Sequence, residues 1–155
     1  MRSFIICLMI VFAAGMAQAQ SRQLADIEDC DWRSSLDAIV EPWEAHTARF
    51  ANGEVRVVMI DAIEPAAAAL YLVVISPPYA ELGQRSCKVI GYKGAGFSGI
   101  DFSSLTSTYD QSAGLQFSID VKVPNEDLIL FLDAQLYFGL DQRVGPYDPQ
   151  IELSQ

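Results

Sequence analysis

Two apolar runs lie back to back between Glu54 and Ser76. The first, 54–63, is interrupted by Arg56 and Asp61. The second passes through Leu70, Tyr71, Leu72, Val73, Val74 and Ile75 without a polar residue. A strand that is apolar on both parities must be covered on both faces. The spacing therefore predicts a central strand over 68–76, with a neighbouring strand over 54–63. Pro77 and Pro78 cannot donate to a ladder, so they are expected to end that strand.

Beyond them, 86–92 reads as a strand with Cys87 and Val89 on one face and Lys88, Ile90 and Tyr92 on the other. Leu105, Ser107 and Tyr109 share a parity before the polar break 110–114. Leu115, Phe117, Ile119 and Val121 then alternate with Gln116, Ser118, Asp120 and Lys122. That is the signature of an antiparallel hairpin with one buried and one wet face. From Leu128 to Leu140 the apolar residues again favour period two, which predicts a strand with a bend near Asp133; a helix over 126–138 is the alternative. Residues 141–155, with Gly145, Pro146 and Pro149, read as an extended tail.

The stretch 34–53 is less regular. Leu36, Val40, Trp43, Thr47 and Phe50 recur at helical spacing, and Ser34 with Asp37 resembles a capping box. Pro42 opposes one long helix. Asn52-Gly53 is a strong hairpin signal. The reading adopted is a short helix over 35–41 and a strand over 43–50 turning at Asn52-Gly53; a kinked helix over 35–51 is the alternative. Trp32 and Trp43 are expected to pack on the core or to form a lid over it, with a ligand-stacking pair as the alternative. The fold class predicted is mainly β: an antiparallel β-sandwich or open barrel of about seven strands with a short N-terminal helix.

The first residues change the picture. Arg2 is followed by an apolar run from Phe4 to Ala14, then by Ala17-Gln18-Ala19. These are the three parts of a secretory signal peptide over 1–19, leaving a single exported β-rich domain over 20–155. The apolar run falls short of the ~20 residues that span a bilayer. No membrane anchor is expected after cleavage, and the location expected is periplasmic or extracellular. Losing 1–19 removes one basic and no acidic residue, which takes the net charge from −10 to −11. Such a balance argues against nucleic acid and anionic membrane; it permits a basic protein partner without identifying one. Export also removes Cys7. Cys30 and Cys87 remain, and in an oxidising compartment they are expected to form a disulfide. The acids Asp26, Glu28, Asp29 and Asp31 around Cys30 lack the pattern of a calcium loop and read as a solvated lead-in.

Candidate chemistry is sparse. His46 is the only histidine, so any Ser-His-acid or Cys-His arrangement must use it, yet no Ser lies in a nucleophile context. Gly94, Gly96 and Gly99 match G-x-G-x-x-G after a strand, but Ile100-Asp101-Phe102 has no helical period, so the loop reads as a tight bend rather than a phosphate cradle. No metal, cofactor or catalytic residue is assigned. The residues held as candidates for binding are Trp43, His46, Gly94, Gly96 and Phe97. The function expected is a non-catalytic exported domain that binds a protein through an acidic face or an edge strand. The alternative is a small hydrolase using His46 or a carboxylate pair.

Overall fold

The structure, a computed structural model, describes residues 22–64, 66–125, 127 and 129–154. The signal peptide expected over 1–19 lies outside the described residues. Ten strands make two antiparallel sheets of five, face to face and sandwich-like, with no closed barrel. The first sheet has the order β2 (Asp26–Asp29), β6 (Arg85–Gly91), β5 (Leu70–Tyr79), β4 (Val55–Asp61), β3 (Thr47–Phe50). The second has the order β1 (Gln23–Leu24), β10 (Gly145–Leu153), β9 (Phe131–Asp141), β8 (Gly114–Pro124), β7 (Gly99–Asp110).

β5 is the middle strand of its sheet, and both of its faces are covered. Leu72 and Val74 point inward with Val57, Met59 and Ile90, against Ile119, Leu136 and Phe138 of the other sheet. Tyr71 and Val73 point outward with Val58, Ile60 and Val89, beneath Cys30, Ala38 and Ile39. Full burial of side chains of this size stabilises by roughly 1.5–3 kcal/mol each. The N-terminal segment is thus a lid on the outer face of the first sheet. Cys30 and Cys87 hold it there as a disulfide, with alpha carbons 5.3 Å apart and a sequence separation of 57.

Several expectations are corrected. There are ten strands rather than seven, because the lead-in supplies β1 and β2 and the tail supplies β10. Pairing overrides composition in both places: β2 fills a ladder beside β6, and β10 lies between β1 and β9. The ladder of β10 breaks between Tyr147 and Gln150, and Pro149 falls in that break. The short helix over 35–41 is absent; Trp32–Ser34 and Leu36–Ala38 are single 3-10 turns. The reason is tertiary. Ile39 bridges to Ile60 and the Val40 N–H bonds to the Met59 oxygen, so these backbone groups serve the sheet rather than a helix. The strand over 43–50 shortens to β3, preceded by a 3-10 turn over Trp43–Ala45. Pro77 and Pro78 do not end β5. The strand runs on to Tyr79, and the register shifts between Ser76 and Tyr79, so neither proline need donate to the ladder.

The β3–β4 hairpin does turn at Asn52-Gly53, with Phe50 opposite Val55 and both turn residues at positive φ. The β7–β8 hairpin forms, and β7 begins earlier than its alternation suggested. The period-two reading of β9 holds from Phe131 onward.

The two long sides of the sandwich differ. On one side the lead-in passes from the edge of the second sheet to the edge of the first, with the Ala25 N–H bonded to the Pro149 oxygen, and so links both sheets. On the other side, among the described residues, β3 and β7 are edge strands with no further strand beside them. Aromatic side chains fill the gap: Phe50 meets Phe117 edge-on at 4.9 Å, and Phe117 stacks on Phe138 at 4.7 Å.

Reducing the Cys30–Cys87 bridge is expected to lower unfolding free energy by about 4 kcal/mol, from the entropy of the loop it closes. Urea denaturation with and without reductant measures this; equal midpoints would contradict it. Leu72→Ala is expected to cost about 3 kcal/mol in the same assay, since the site is closed on every side.

Candidate functional site

The residues singled out from the sequence fall into two separated groups. Trp43 and His46 stand beside β3 and β4, where the His46 oxygen accepts from the Met59 N–H. Gly94 stands at the opposite edge of the same sheet, its N–H bonded to the Asp26 carboxylate at 2.5 Å. Four strand spacings lie between these edges, about 19 Å. They do not share a site.

The His46 ring is engaged by the main chain. Its Nδ1 lies 3.1 Å from the oxygens of both Val40 and Pro42. Both partners are carbonyls, so Nδ1 carries the proton and donates. The ring also meets Phe102 edge-on, at 6.2 Å between centroids. Among the described residues no nucleophile or carboxylate hydrogen-bonds to it. Trp43 is 50% exposed and Trp32 68%, so neither packs into the core; both lie on the N-terminal segment. Both sit on 3-10 turns outside the sheets. Trp32 lines a concavity of about 180 Å³ with Arg33, Asp37, Asp61 and Ile63.

The glycine-rich loop folds back onto the sheet. Phe97 is fully buried in the core and pairs with Leu70. Gly96 bonds through its N–H to the Ala68 oxygen, and a Cβ there would lie 2.4 Å from the Leu70 oxygen. The glycine is needed for close approach of backbone to backbone. The loop leads into a strand, β7, not into a helix whose terminus receives phosphate.

The surface feature that stands out was not singled out in the sequence. At the turn joining β8 to β9, Ile129, Leu130, Phe131 and Leu132 are all exposed, from 75% at Ile129 to 39% at Leu132. Exposed single hydrophobic residues are ordinary; four in succession at a tip are not. The backbone of this prong is fixed. The Asn125 Oδ1 accepts from the N–H groups of Ile129 at 2.9 Å and Leu130 at 3.1 Å. The Asn125 N–H in turn donates to the Leu130 oxygen at 2.8 Å. The signal in the sequence was the unbroken run 128–132, apolar on both parities directly after a turn.

Beside the prong, on the polar outer face of the second sheet, lies a groove of about 380 Å³ lined by Gly99, Asp101, Asp120, Lys122 and Asp133. Asp101 on β7 stands directly opposite Asp120 on β8. Lys122 pairs with Asp133 at 3.2 Å. Neither Asp101 nor Asp120 has a cationic partner among the described residues, so the groove is net acidic. Ser103 donates to the Asp101 carboxylate from its N–H and its hydroxyl, and Gln135 donates to Asp120 at 2.8 Å, which holds both carboxylates in place.

Other acids are engaged. Arg33 bonds Asp31 and Glu28, and Lys88 bonds Asp29 at 2.7 Å, so three of the four acids around Cys30 share two cations. The carboxylates that shift do so downward: Asp31 beside Arg33, Asp110 under the hydroxyl and N–H of Ser112, and Asp141, which Arg143 holds at about 2. A general acid needs the opposite shift. Asp141 and Arg143 border a concavity of about 420 Å³ between the loops of the β7–β8 and β9–β10 hairpins, with Tyr109, Gln111 and Gln142. Among the described residues no group of three or more His, Cys, Asp or Glu side chains suits a metal ion, and no helix is long and apolar enough to cross a membrane.

Fold and surface together define a disulfide-closed, two-sheet antiparallel β domain with an apolar prong beside an acidic groove. No protein-family model matches the chain, nor does any curated protein or solved structure.

Asp141 gives a pH prediction. Its folded pKa is depressed, so its contribution to stability is present above its ordinary value of 3.8 and is lost as pH falls through about 2. Carboxyl-carbon NMR should find its midpoint near 2, returning toward 3.8 in Arg143→Gln. A midpoint unmoved by that substitution would contradict the pairing.

Proposed function

We propose that the mature chain is an exported, non-catalytic binding domain that engages a basic protein through the prong and the acidic groove beside it. The exposed, backbone-fixed run Ile129–Leu132 carries this reading. A rigid apolar tip loses little entropy on docking, and its burial supplies the driving force. Asp101 and Asp120 would select a partner whose apolar cleft is rimmed by Lys or Arg. The disulfide supports export, since such bonds persist in oxidising compartments. Engagement of His46 by carbonyl oxygens supports a structural role for the one histidine.

The test uses immobilised mature domain and envelope extract of the source cells. Wild type is expected to retain a basic protein at ~0.05 M salt and to release much of it at ~0.5 M, where screening is strong. Leu130→Ser/Phe131→Ser is expected to weaken retention more than about 10-fold, as for interface anchors. The substitutions lie on an exposed tip, so folding should be unaffected. Identical retention by wild type and the prong variant would sink the reading. So would wild type that retains no protein but sediments with neutral-lipid vesicles.

A further inference from the structure

On the opposite face of the molecule, two arginines stand across a ladder from each other. Arg49 on β3 is directly opposite Arg56 on β4. Arg56 shares its parity with Val58 and Ile60, so both point to the outer face of the first sheet. Like charges directly opposed across two strands destabilise the pair. In this acid-rich chain an acid beside them would be easy to supply. Arg22, Arg33, Lys88, Lys122 and Arg143 each pair with one; among the described residues Arg49, Arg56, Arg85 and Lys93 pair with none, and of these only Arg49 and Arg56 stand opposite each other. The Nε–H of Arg56 is moreover buried without a hydrogen-bond acceptor. A buried charged donor left unmet is costly, and this one belongs to the residue directly across the ladder from a second arginine.

We propose that Arg49 and Arg56 form a receptor for an oxyanion, either a free tetrahedral anion or a carboxylate. Planar guanidinium groups present paired N–H donors that match the oxygens of such groups. Cross-strand neighbours have Cβ atoms about 5 Å apart, close enough for two guanidinium groups to converge on one anion. The anion would cancel the repulsion and accept from the buried Nε–H. Among the described residues β3 is an edge strand, so the site is open from the side. It is independent of the prong, which belongs to the other sheet.

The test is thermal unfolding of the mature, oxidised domain at constant ionic strength, with chloride replaced by ~10 mM sulfate or ~10 mM glutarate. At that concentration general salting-in and salting-out effects are small. A millimolar site is expected to raise the Tm of wild type by about 4 °C, and that of Arg49→Gln by less than about 1 °C. A saturable shift of the Arg56 Nε–H resonance in wild type should accompany it. Sulfate acting alone would identify a free tetrahedral oxyanion; glutarate acting as well or better would identify a carboxylate. If neither anion outdoes chloride, or if Arg49→Gln responds as wild type does, the proposal is overturned. Arg49 is exposed, so this variant carries the test even if Arg56→Gln fails to fold.

Discussion

The structure depends on one constraint: β5 is apolar on both faces and must be dry on both. The inner face finds the second sheet. The outer face has no sheet to meet, so the N-terminal segment lies across it, placing Ala38 and Ile39 over Val58, Ile60 and Tyr71. Past β2, this segment is held by single 3-10 turns, one isolated bridge and a few backbone hydrogen bonds, and such a stretch opens readily. The Cys30–Cys87 bond ties it to β6, next to the strand it covers. Burial of one strand therefore dictates the path of the lead-in, the position of the disulfide and the extended form of residues that carry a helical spacing.

The second sheet answers to a looser constraint. Only its inner face is buried, and its outer face is a field of Asp, Ser, Thr, Gln and Tyr side chains. Polar groups there bond to one another, as Thr106 does with Ser118 and Gln116 with Tyr147. That sheet is free to carry features unrelated to stability. The prong and its groove are of this kind, since nothing in the core requires Ile129 or Phe131 to be apolar.

Charge is distributed by the same logic. Acids near the disulfide are matched by Arg33 and Lys88, and Asp141 by Arg143. Two like-charged cross-strand pairs stand out: Asp101 opposite Asp120 on one sheet and Arg49 opposite Arg56 on the other. A chain selected for stability alone would interleave such charges, because cross-strand opposites attract by up to about 1 kcal/mol and like pairs repel.

The sequence by itself determined the mainly β class, the central place of Leu70–Ile75, the β7–β8 hairpin, the turn at Asn52-Gly53 and the cysteine partners. These come from local spacing, or from having two thiols to pair. The sequence did not determine β1, β2 or β10. Polar or proline-containing segments become strands only when a ladder beside them has free donors and acceptors. Nor did it determine the candidate site. Leu130 and Leu132 share the parity of the buried Ala134 and Leu136, and their pattern reads as core. Whether an apolar residue is buried depends on what faces it, and that is settled only when the sheets come together and one hairpin runs out beyond the cover of its partner.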